Sequence, residues 1–89
     1  MSLLLWLLGG ALLAGAVLVI SAGKLADMIR RKIPWANRAI VKKIIERAGK
    51  VIIKIAWNSM FESGYSQFEI PVEDNKYSID IFEGEKIEL

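Results

Sequence analysis

The chain contains neither histidine nor cysteine. That removes the commonest general base near neutral pH, the commonest metal ligand, and all thiolate and disulfide chemistry. The carboxylate pairs Glu73-Asp74 and Glu83/Glu85 sit in turn-forming sequence, where water keeps such groups ordinary. No serine has a base near it in sequence, and the Gly9-Gly10 pair falls inside an apolar run rather than after a strand. The chain is therefore expected to be non-enzymatic, with no catalytic residues, no cofactor and no bound metal.

Charge is the chemistry that remains, and it is segregated. Residues 1–22 carry no ionisable side chain. Residues 23–57 carry ten basic groups against Asp27 and Glu46, and residues 58–89 carry Lys76 and Lys86 against eight acids. Such asymmetry implies a different partner for each part. Lys24, Arg30, Arg31, Lys32, Lys42, Lys43, Arg47, Lys50 and Lys54, with Trp35 and Trp57, form a candidate lipid-surface set. Each base near an anionic leaflet contributes about 1 kcal/mol, and tryptophan favours the membrane interface.

Three elements would position these groups. Residues 3–22 are twenty uncharged positions rich in Leu, Ala, Gly and Val, enough for about 30 Å of helix, the thickness of a hydrocarbon core. With 54% hydrophobic residues in 89, a domain of this size has little interior in which to hide them. The expectation is an N-terminal transmembrane helix. Only Met1 and Ser2 precede the apolar run, without the basic flank of a cleaved leader, so the segment reads as an uncleaved anchor. Lys24, Arg30, Arg31 and Lys32 follow it, placing the N-terminus outside and the C-terminus in the cytoplasm, or the equivalent in a virion. Gly10, Ala11, Ala14, Gly15, Ser21 and Ala22 gather on one side of this helix as a candidate helix-packing stripe.

Pro34 marks a break. Beyond it Ile40, Val41, Ile44, Ile45, Ala48, Val51, Ile52 and Ile55 recur at helical spacing, opposite Lys42, Lys43, Glu46, Arg47, Lys50 and Lys54. This pattern predicts an amphipathic juxtamembrane helix over 35–57, with Gly49 as its weak point. Three roles compete for it: lying on lipid, packing on protein, or binding nucleic acid. Nucleic acid ranks last, because the acidic tail repels phosphate.

From Gln67 the period becomes two. Phe68, Ile70 and Val72, then Tyr77, Ile79 and Ile81, alternate with polar residues around the turn sequence Glu73-Asp74-Asn75-Lys76. The expectation is an antiparallel β-hairpin, extended to a three-stranded meander by a reversal at Glu83-Gly84-Glu85. Pro71 cannot donate to a ladder, so the first strand is expected at an edge or paired only in part.

The resulting picture is a mainly α membrane protein with a small β tail. Residues 1–32 form the transmembrane helix with its basic extension, 33–58 the basic amphipathic helix, and 59–89 the acidic tail. The expected function is that of a non-enzymatic, single-pass structural or accessory subunit of a membrane-embedded assembly. Its partners would be anionic lipid and other subunits, or itself as a homo-oligomer, with no small-molecule substrate. The alternative is a homo-oligomeric pore of holin-like or small-channel type.

Overall fold

A computed structural model describes residues 17–89. In chain order the elements are β1 (Leu18–Ser21), α1 (Ala22–Lys32), β2 (Arg38–Arg47), β3 (Lys50–Asn58), β4 (Ser63–Pro71), β5 (Tyr77–Asp80) and β6 (Lys86–Glu88). Four strands form an antiparallel sheet in the order β4-β3-β2-β6, while β1 and β5 pair in parallel as a separate two-stranded sheet.

The centre of the fold is the β2–β3 hairpin, where the sequence predicts a helix. The segment is dense in Ile and Val, whose branched side chains prefer the pleated surface of a sheet. On β3, Val51, Ile53 and Ile55 alternate strictly and are fully buried. Ile53 has no place on the expected helical stripe, so its burial decides for the strand. On β2, Ala39 and Val41 face the same core, and a bulge between Val41 and Lys43 brings Ile44 opposite Ile53. That bulge shifts the alternation by one residue and imitates a helical spacing of three. Gly49 is not a flaw in a helix but part of the turn from Arg47 to Lys50, with φ +80°, a conformation that glycine adopts without steric cost. The amphipathic helix over 35–57 is thus replaced by two strands.

The transmembrane expectation fails at the end of its span. Leu18–Ser21 is a strand in register with Tyr77–Asp80, so residues 3–22 are not one continuous helix. The helix begins only at Ala22, where the Ser21 hydroxyl accepts the Lys24 amide N–H at 3.2 Å, a side-chain N-cap. Among the described residues no helix is long and apolar enough to cross a membrane. The single-pass placement, with N-terminus outside and C-terminus cytoplasmic, is corrected accordingly, and the pore alternative that rested on the same helix is not carried forward. Within the packing stripe, Ser21 is the helix cap and Ala22 its first residue; Gly10, Ala11, Ala14 and Gly15 lie outside the described residues.

The tail forms strands but not the expected hairpin or meander. β4 pairs with β3, β5 with β1, and β6 with β2. The turn between β4 and β5 does form, with Asn75 at φ 63° and the Lys76 N–H donating to the Glu73 carbonyl at 3.0 Å. It redirects the chain out of the four-stranded sheet. One cluster unites the buried side chains: Ile20, Leu25, Ala26 and Ile29 from β1 and α1 pack with Val41, Val51, Ile53, Ile55, Phe68, Ile70 and Ile87 of the four-stranded sheet. α1 and the β1–β5 pair therefore cover one face of that sheet, and no described element covers the other.

Candidate functional site

Residues directly opposite on antiparallel strands share a face, so the register gives the composition of the uncovered side. β2 contributes Arg38, Ile40, Lys43, Ile45 and Arg47; β3 contributes Lys50, Ile52, Lys54, Ala56 and Asn58. β4 adds Ser63, Tyr65, Gln67, Glu69 and Pro71, and β6 adds Lys86 and Glu88. Six cations thus share this face with two carboxylates. Beneath the charges run Ile45 and Ile52, the latter buried despite facing outward.

The two carboxylates do not neutralise the middle of the face. Glu69 is held by Lys50 at 3.0 Å and also accepts from the Gln67 amide at 3.2 Å. The Lys50 hydrogen bond and charge keep its carboxyl below the usual carboxylate range. Glu88 stands opposite Arg38 at the end of the sheet. Between them Lys43 lies directly across from Lys54, whose other neighbour is the neutral Gln67. Among the described residues, Arg30–Asp27 and Lys50–Glu69 are the ion pairs, so Lys43 and Lys54 have no acidic partner there. Like charges directly opposite destabilise a sheet. Lys42, the extra residue of the bulge, adds a third ammonium beside them. Lys42, Lys43, Lys54, Tyr65 and Gln67 line a shallow depression of about 480 Å³. One row further along, Ala56 separates Ile40 from Tyr65, and Tyr65 is 81% exposed.

Of the residues singled out from sequence, Lys43, Arg47, Lys50 and Lys54 meet on this face, with Lys42 at the bulge. Lys24, Arg30, Arg31 and Lys32 belong to α1 in the opposite layer. There Lys32 donates to the Gln67 carbonyl at 3.2 Å and lies 5.1 Å from the Phe68 ring centroid. Trp57 points to the core side, edge-on to Trp35 at 6.3 Å between centroids. Its indole Nε1 is buried without a hydrogen-bond partner among the described residues. Sequence reasoning missed Tyr65, Gln67, Arg38 and Lys86. The strand runs back to Ser63, but the apolar alternation does not: Tyr65 is out of phase with Phe68, Ile70 and Val72, so periodicity alone does not place it.

A second exposed feature lies where β3 turns into β4. The Ser59 hydroxyl accepts the Phe61 and Glu62 amides at 3.3 and 3.1 Å, fixing a tight turn. That turn displays Met60 and Phe61, 79% and 91% exposed, near Trp35 at 54%. On the covered side of the sheet, the Tyr77 hydroxyl donates to Glu46 at 2.6 Å, which raises the phenol above its ordinary range.

No family model, curated protein or solved structure matches this chain. Function has to be read from the chain's own geometry. Unpaired ammonium groups over a shallow, partly aliphatic surface can bind extended anions.

Proposed function

We propose that this chain is a non-enzymatic docking module, a structural or accessory component that holds an anionic partner on the uncovered face of its four-stranded sheet. The opposition of Lys43 to Lys54, with Lys42 alongside, carries this reading. The arrangement costs the fold stability, and neither ion pair among the described residues involves Lys42, Lys43 or Lys54. An external anion would supply the missing countercharge. The face is shallow and extended, suiting a polyanion or an acidic surface better than a small molecule enclosed in a pocket.

Retention of the full chain on a sulfated-polysaccharide matrix tests the proposal. Replacing Lys42, Lys43 and Lys54 together by Gln should lower the salt concentration needed for elution far more than replacing Lys24, Arg30 and Arg31 of α1 by Gln, although both changes remove three charges. Equal losses would show that only net charge matters and would overturn a dedicated face.

A further inference from the structure

Resting on that docking reading, we infer that the anionic partner is a single-stranded nucleic acid, whose phosphates meet Lys42, Lys43 and Lys54 while a base stacks on Tyr65. The charge requirement alone is met by many polyanions. The aromatic group narrows it. Tyr65 is 81% exposed on the same face as the lysines, two residues from Gln67 and diagonal to Lys54. A diagonal pair across antiparallel strands is separated by about 7–8 Å at the backbone, within the span from a phosphate to its own base.

The row containing Tyr65 also leaves room. Its cross-strand neighbour is the small Ala56, then Ile40, so a planar ring can lie against the phenol face without displacing a bulky side chain. Base-on-aromatic stacking over a positively charged groove is the general mode by which proteins hold single strands irrespective of sequence. Gln67 next to Lys54 offers an amide for a base edge or sugar hydroxyl, although it also donates to Glu69. A paired duplex keeps its base faces covered and would use the lysines alone.

Most of the acidic part of the chain lies away from the lysines; the exception is Glu83, whose carboxylate reaches the backbone beside the bulge. Of its eight acids, Glu69 and Glu88 belong to the uncovered face, and Glu69 is already held by Lys50. Glu62, Glu73, Asp74, Glu83 and Glu85 lie outside the strands in connecting turns, and Asp80 lies on β5. Glu83 accepts the Ile44 amide at 2.9 Å and Glu85 the Phe82 amide at 3.1 Å.

Fluorescence anisotropy of a labelled oligothymidylate with the full chain, across a salt series, tests the inference. Poly-glutamate, heparin and a duplex serve as competitors. The expected results are preferential binding of the single strand and a log-log salt slope of about −2 for three phosphates neutralised. Tyr65→Ala should lose about tenfold in affinity with the slope unchanged, as stacking requires, and Tyr65→Phe should retain binding. Lys43→Gln with Lys54→Gln should flatten the slope. Because Tyr65 is largely solvated, its variants should keep the wild-type melting temperature, which separates lost stacking from lost folding. If Tyr65→Ala is silent, or heparin and poly-glutamate compete as well as the single strand, the nucleic-acid assignment falls while the docking face stands. If no polyanion binds, both fall.

Discussion

The two faces of the four-stranded sheet obey different rules, although they share the same strands. On the covered face Val41, Val51, Ile53 and Ile55 are completely buried, and volume decides these positions. On the uncovered face Lys43, Lys54 and Tyr65 are exposed, and no packing constraint explains them. The fold is specified from one side. The other side is free to carry cations that work against it.

The largest test of that contrast is Ile53→Ala. It should cost about 2–5 kcal/mol through lost burial and the cavity left behind, as measured by chemical unfolding. Ile45→Ala on the opposite face should cost under half as much, because Ile45 is only half-buried; equal losses would erase the distinction between the faces. Next comes Gly64→Ala, where an added Cβ would stand 2.9 Å from Trp57 Cζ2. With the indole already against Trp35, the expected penalty is about 1–3 kcal/mol from overpacking, visible as a lowered midpoint and a changed tryptophan emission.

Gly49→Ala probes the hairpin that joins both faces. Nothing crowds its Cβ position, so the loss of about 1–2 kcal/mol should come from the left-handed backbone alone. Gly49→Asn should recover part of it. Lys43→Gln should have the opposite sign, gaining a few tenths of a kcal/mol by relieving the Lys43–Lys54 opposition while weakening polyanion retention. A variant both more stable and weaker in binding would sharpen the comparison most directly.

The smallest effect is on pH dependence. Glu69 has a depressed folded pKa, so its contribution is present above the unfolded value and is lost as pH falls through the folded one. Tyr77 is raised, so its contribution is complete below its unfolded value and is lost as pH rises through the folded one. Glu69 is exposed and Tyr77 only partly buried, and the changes in stability should be slight. Side-chain NMR titration is the sensitive readout, and Lys50→Met should return Glu69 toward the ordinary carboxylate range.

What could be read from the residues alone was local. Asp74-Asn75 marked a turn, and the alternation around Phe68 and Ile70 marked a strand, because both signals depend on neighbours in sequence. The pairing partners were not legible: β5 joins β1 and β6 joins β2 through contacts between distant residues. The helix expected over 35–57 arose because charged and branched residues at spacings of three and four satisfy a helical stripe and a bulged strand alike. Ile53 was the discriminating residue, fitting only the strand. For the candidate site, sequence named the lysines but assigned them to a lipid-facing helix. Their convergence with Tyr65 depends on register.

The bulge at Val41/Lys43 has a consequence for how this surface can change. If Lys42 were deleted, Ala39, Val41, Ile44 and Glu46 would fall on the covered side and Ile40, Lys43, Ile45 and Arg47 on the other, which is where the existing register already puts them. The inserted residue is thus dispensable for the ladder, and its loss removes one charge from this surface while the interior keeps its order. If the docking reading holds, deleting Lys42 removes one cation from the face without exchanging any other residue.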